Sequence, residues 1–287
     1  MKIGIGLPSA IPNVSGSLIR DWARLAETGP FSSLAVLDRL VYGNYEPLTT
    51  LAVAAGETQR IRLMTAVLLA PLHNPGVLAK QVSSLEVLSG GRLTLGLGVG
   101  GREDDYRAAP AAFHRRGRRL EEQLDLLTRL WSGQPVDEHI GPIGPPPIQE
   151  GGPEVLIGAY APSAINRLAR WGQGYIVGAN APQQVTPGLR LAEESWQRAG
   201  KPGKPRLVVC ATYGLGPNAD ARATEYILDY YAFLGPMARQ MTVGVPFSQN
   251  AVRESIHAFE EIGTDELVFI PCIPELDQVR LLAECLA

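Results

Sequence analysis

Eight short apolar runs recur along this chain, and each is followed by a segment with helical periodicity. No other feature limits the possible folds as strongly. The runs cover residues 2–7, 32–37, 61–69, 92–99, 154–158, 175–178, 206–213 and 266–270. Between them the apolar positions fall at helical spacing, as in Leu18, Trp22, Leu25 and Ala26, or in Leu120, Leu124, Leu127 and Trp131. Strands that alternate with helices pair in parallel through right-handed crossovers. Eight such units close most economically into a (β/α)8 barrel. A doubly wound open sheet is the competing fold, but no Gly-x-Gly-x-x-Gly follows the first strand, where that fold puts its phosphate turn. Residues 133–153 break the pattern. Pro142, Pro145, Pro146, Pro147, Gly151 and Gly152 predict an irregular surface excursion, after which the alternation resumes. Residues 219–234 read as helix and 235–247 as irregular.

The chain has 287 residues, enough for one barrel-sized domain over 1–287 with a large core. A hydrophobic content of 45% with 19% charged residues fits a soluble enzyme. The net charge of −3 supplies no basic field, so nucleic acid is not an expected partner. No apolar run reaches the roughly 18 residues of a membrane helix. The start, Met1-Lys2-Ile3-Gly4-Ile5-Gly6-Leu7, is too short and too alternating for a signal peptide. Cys210, Cys272 and Cys285 are odd in number and lack metal spacing, so they read as reduced packing residues of a cytoplasmic protein.

The fourth run carries the most chemical information. Leu93, Leu95, Leu97 and Val99 point one way, and Thr94, Gly96 and Gly98 the other. A face kept bare by glycine admits backbone or a flat ligand. The run then empties into Gly100-Gly101 and Arg102-Glu103-Asp104-Asp105. A barrel works at the C-terminal ends of its strands. Those ends carry Leu7, Asp38-Arg39, Ala66-Val67, Gly100 to Glu103, Gly158-Ala159, Gly178 and Tyr213. Asp38 suits proton transfer or holding a substrate hydroxyl, and equally suits an Asp–Arg brace on the rim. Gly158-Ala159, before a helix with Pro162 and Ser163, suits either an anion on free backbone N–H groups or an ordinary helix start. His73, His114, His139 and His257 form no ligand pair, and no lysine ends a strand. An organic cofactor bearing a phosphate therefore fits better than metal or Schiff-base chemistry.

Several stretches, in order and nearly end to end, resemble the bacterial luciferase-like flavin-dependent oxidoreductases. They are Met64-Thr-Ala-Val-Leu-Leu-Ala-Pro-Leu-His-Asn-Pro75, Leu88-Ser-Gly-Gly-Arg-Leu-Thr-Leu-Gly-Leu-Gly-Val-Gly-Gly-Arg-Glu103, Arg115-Arg-Gly-Arg-Arg-Leu-Glu-Glu122, Val155-Leu-Ile-Gly-Ala159 and Asp265-Glu-Leu-Val-Phe-Ile-Pro271. The resemblance implies a barrel that binds FMN or the deazaflavin coenzyme F420 with its ring in the mouth. It implies a bulge with a non-prolyl cis peptide at Ala66-Val67 under the ring. It implies a phosphate site at Gly158-Ala159 with Ser163 nearby and Gly178 beside it. Leu7, Asp38, Gly98, Gly100 and Tyr106 complete the expected cofactor contacts.

One position departs from the family pattern. Many relatives carry a histidine after the strand-two aspartate, and this chain has Arg39, which cannot act as a general base. Asp38, Arg39 and Glu103 are the expected catalytic residues. Glu103 matches a glutamate that some deazaflavin relatives use as a proton donor. The expected activity is hydride transfer between F420 and a small organic substrate. An FMN-dependent monooxygenase with a dry pocket from Leu68, Leu69 and Leu72 is the alternative. A barrel that binds flavin without turnover and a phosphate-binding aldolase or isomerase stand further back. Relatives commonly dimerise, so a homodimer is expected.

Overall fold

The structure is a computed structural model and describes residues 1–286. Eight parallel strands close a barrel in chain order: β1 (Lys2–Gly6), β2 (Ser33–Val36), β3 (Arg62–Leu69), β4 (Leu93–Gly98), β5 (Glu154–Gly158), β6 (Gly174–Gly178), β7 (Arg206–Tyr213) and β8 (Glu266–Pro271). β1 pairs with both β2 and β8, which closes the ring. The helices are α1 (Gly16–Thr28), α2 (Pro47–Glu57), α3 (Pro75–Leu88), α4 (Glu103–Ala108), α5 (Arg116–Trp131), α6 (Pro162–Ile165), α7 (Leu168–Trp171), α8 (Pro182–Arg198), α9 (Ala219–Tyr230), α10 (Gln249–Glu261) and α11 (Asp277–Glu284). The (β/α)8 expectation is met, and residues 133–153 are free of helix and strand. Among the described residues no helix is long and apolar enough to cross a membrane. All three cysteines are free and buried.

The strands bury both faces, as parallel strands must. Outward residues such as Leu34, Leu63, Leu95, Ile157 and Phe269 pack against the helices. Inward residues form layers. The lowest layer is polar. Arg206 reaches both Glu154 and Glu266, Ser33 Oγ donates to Glu266 Oε1 at 2.6 Å, and Thr94 Oγ1 donates to Glu154 Oε2 at 2.9 Å. The middle layer is apolar, with Ala35, Met64, Leu156, Ile176, Val208 and Val268. Removing Arg206 would leave the 1% exposed Glu266 without a counter-charge and Glu154 with only Arg62, at 4.0 Å. Losing one partner of a buried pair costs about 3–5 kcal/mol. Arg206→Met should therefore lower the thermal midpoint by about 6 °C or more, measured by circular dichroism.

Three local differences from the sequence reading have physical causes. The helix expected over 219–234 stops at Tyr230, and a 3-10 segment, Ala232–Thr242, replaces the irregular stretch. Pro236 disfavours helical backbone at the residue before it, and Gly235 turns out at φ 57°. The helix after β5 divides into α6 and α7, each with one buried side chain, Ile165 or Leu168. So little buried surface cannot stabilise a longer helix. The charged cluster after β4 winds into the short helix α4, with Glu103, Asp104 and Asp105 in its first turn, where acidic groups suit the helix dipole.

Candidate functional site

A cavity of about 710 Å³ opens at the C-terminal end of the barrel. Its floor comes from β3. The register shifts between Thr65 and Leu68, and the Ala66–Val67 peptide is cis, where the resemblance placed it. The bulge turns the Val67 side chain inward among the barrel residues. The glycines explain how it fits. A Cβ on Gly98 would lie 2.6 Å from Val67 Cγ2, and one on Gly158 would lie 2.7 Å from Val67 Cγ1. The bare face of β4 therefore receives a side chain of the chain itself. Gly100 and Gly178 extend the smooth wall, with Leu69 packed behind the first and the Tyr160 hydroxyl beside the second.

Asp38 stands on the cavity edge just past β2. Its Oδ2 accepts the Leu69 N–H at 2.8 Å, which ties the end of β2 to the end of β3. Burial pushes its carboxyl up to about 7; the Leu69 hydrogen bond opposes the shift, and Glu46 and Asp105 add to it. At neutral pH this group exchanges a proton at little cost, as a general acid or base requires.

The remaining expected residues divide. Ala66, Val67, Gly98, Gly100, Gly158, Ala159 and Gly178 line the cavity with Asp38. Arg39, Glu103, Leu7, Tyr106 and Ser163 do not. Glu103 begins α4 with its side chain exposed to solvent, so the geometry expected of a proton donor beside the ring is not met. Arg39 sits behind the wall, 4.4 Å from the Tyr42 ring and 3.8 Å from Asp104 Oδ2. Tyr106 is buried and its hydroxyl donates to the Val99 carbonyl at 2.5 Å, bracing the loop after β4 from behind. Leu7 packs in the outer core between strands and helices. Ser163 is exposed on α6, while Ala161 and Ala164 meet the cavity.

Sequence reasoning missed the roof. Tyr230 and Tyr231 at the end of α9, and Phe233, Leu234 and Met241 of the 3-10 segment, cover the mouth. Nothing local marked them, because a tyrosine pair ending a helix reads as packing. Asn180 ties this roof down: its side chain donates to the Met241 carbonyl at 2.9 Å and accepts from Thr212 N at 2.8 Å. Asp105 was also missed as a fastener. Its Oδ1 accepts Leu40 N at 3.1 Å and Val41 N at 2.7 Å, joining the loop after β2 to α4. A second hollow of about 600 Å³ lies at the opposite end, beside Met1, Phe31 and Arg253, away from the catalytic face of a barrel. Among the described residues no group of three His, Cys, Asp or Glu could hold a metal ion.

Comparison with known proteins agrees with this fold. The sequence profile described as luciferase-like monooxygenase matches residues 1–266. Curated relatives include an uncharacterised Mycobacterium tuberculosis protein, 31% identical over 170 residues, a match covering 57% of this chain and 60% of that one. Another is a Nocardia farcinica F420-dependent glucose-6-phosphate dehydrogenase, 31% identical over 172 residues, covering 54% of this chain and 51% of that one. The matched stretch thus spans only a little over half the length of these relatives. Two solved structures share the fold. An F420-dependent secondary alcohol dehydrogenase with an F420–acetone adduct has a TM-score of 0.81 at 16% identity, covering 99% of this chain and 97% of that one. The oxygenating constituent of a Pseudomonas putida diketocamphane monooxygenase, complexed with FMN, has a TM-score of 0.72 at 16% identity, covering 99% and 95%. With the profile covering nearly the whole chain and a closed eight-stranded barrel carrying the cavity at its expected end, the chain belongs to the luciferase-like family of flavin- or F420-dependent oxidoreductases and monooxygenases.

Proposed function

We propose that this chain transfers a hydride between coenzyme F420 and a small organic substrate, with Asp38 moving the accompanying proton. The observation that carries the reading is the pairing of a smooth floor, Ala66-Val67 seated against Gly98 and Gly158, with one proton-exchanging carboxyl at its edge. A flat ring fits that floor, and the site's volume lies within the range of small-molecule sites. The F420-dependent Nocardia relative supports the choice of cofactor. Gly158, Ala159 and Gly178 would face the cofactor's phosphate side, and Ala66, Val67 and Gly98 its ring. The deazaflavin, when bound, supplies a two-electron hydride donor or acceptor. The chain supplies the rest. The roof residues Tyr231, Phe233 and Leu234 exclude water, and Asp38 takes a proton from, or returns it to, the substrate oxygen.

FMN with oxygen chemistry is a second reading, favoured by the apolar wall of Leu37, Leu69, Ile176 and Ile270. Fluorescence titration of the purified protein with each cofactor separates the two. The expected result is F420 binding at least tenfold tighter than FMN. Tighter FMN binding with oxygen-dependent turnover would overturn the F420 reading. Glu103→Gln should change turnover by less than about threefold, since general acid–base work is worth 10²–10⁴ and an exposed group off the cavity cannot supply it. We also propose a homodimer; light scattering should give about twice 30.9 kDa.

A further inference from the structure

We propose that Arg102 recognises a carboxylate on the substrate, and that the substrate carries this group on a flat, largely apolar body. The inference rests on the reading of the cavity as the substrate side of a cofactor-bearing barrel. Only two cavity-lining side chains among the described residues bear a formal charge, Asp38 and Arg102. Asp38 exchanges its proton near neutrality and is a weak counter-charge. No carboxylate of the described residues lies within 4.0 Å of the Arg102 guanidinium, whereas Arg39 behind it has Asp104.

The guanidinium is held firmly but its hydrogen-bonding capacity is largely unused. Arg102 Nη2 donates to the Tyr230 carbonyl at 3.0 Å, and Nε is buried with no partner. A guanidinium has five N–H groups in one plane. Aromatic rings sit against it, Tyr230 with its centroid at 4.7 Å and Phe233 at 4.1 Å. Contacts of this kind draw on the charge and do not by themselves use up the N–H groups along its edge. That edge is the geometry that receives a planar oxyanion through two parallel hydrogen bonds. An unpaired cation on the wall of a partly closed cavity is costly, and an arriving carboxylate offsets that cost.

A purely structural role explains less. Arg102 could serve only to hold the last carbonyl of α9, but Arg39 Nη1 donates to the same oxygen at 3.4 Å, and such a role leaves the buried Nε without a partner. The body of the substrate follows from the neighbours. Tyr160, Tyr231 and Phe233 surround the mouth, and Leu234 and Met241 add apolar surface.

Benzoate and its neutral isostere benzamide are the probes, titrated calorimetrically into the cofactor-loaded protein. The expected result is benzoate binding at least tenfold tighter than benzamide. Arg102→Met should bring the two within about twofold while leaving cofactor affinity within about threefold. Arg102→Gln serves the same purpose should the methionine variant fold poorly, and thermal melts check both. Equal binding of the probes to the unaltered protein overturns the proposal, as does a benzoate preference that survives loss of Arg102. A tenfold loss of cofactor affinity in Arg102→Met, with probe preference unchanged, assigns the arginine to the cofactor and also overturns it. Cofactor choice is read in a separate titration without benzoate, so failure of the F420 reading leaves this outcome legible.

Discussion

Gly98→Leu is expected to fold and to bind its cofactor about a hundredfold more weakly. The first added carbon already meets Val67 Cγ2 at 2.6 Å, so Val67 must move. The rest of the leucine then fills the floor of the cavity. Excluding roughly 100 Å² of apolar ligand surface forfeits about 2.5 kcal/mol, close to a hundredfold in affinity. Overpacking also costs the fold about 1–3 kcal/mol, which a barrel of this size tolerates. The check is a cofactor titration beside a thermal melt. Unchanged affinity in the folded variant would move the ring to some other place. Gly158→Ala should act in the same direction, because its added carbon meets Val67 Cγ1 at 2.7 Å.

Asp38→Asn should lower turnover by about 10²–10⁴-fold, the usual worth of a positioned acid or base. The pH dependence identifies its direction of work. With its carboxyl near 7, substrate oxidation should rise with pH through about 7 as Asp38 ionises, and substrate reduction should fall over the same range as the proton is lost. The asparagine variant should lose that inflection.

Stability gives an independent reading of the same group. The folded carboxyl holds its proton more tightly than the unfolded one, whose ordinary value is 3.8. The cost of ionising Asp38 is thus absent below about pH 4, grows as pH rises and is complete above about pH 7. At about 1.4 kcal/mol per unit, the full cost is about 4 kcal/mol. Asp38→Asn should therefore melt several degrees higher than the parent at pH 8 and close to it at pH 4. Equal melting at both would mean Asp38 is ionised at little cost, and the proton-transfer role would lose its basis.

The sequence by itself determined the eight strands, their order and the end at which the site lies. Those features follow from periods of two and 3.6 residues, which are local properties of the chain. It also placed the glycines of the mouth, because Gly98 alternates with the outward leucines of the fourth run and Gly158 ends the fifth. It did not determine what those glycines admit. The close fit of Val67 against Gly98 and Gly158 depends on the β3 bulge, where two consecutive residues face one way. Nor could it sort the charges after β2 and β4. Asp38, Arg39, Arg102 and Glu103 all stand near strand ends, where a turn can send a side chain to either side of the wall. The tertiary structure decided by joining loops distant in sequence. Asp105 fastens Leu40 and Val41 against α4, the Tyr230 carbonyl fixes both arginines, and Glu103 is left in solvent as α4 begins. Each of these contacts spans tens of residues, so no local pattern encodes which charge faces the cavity.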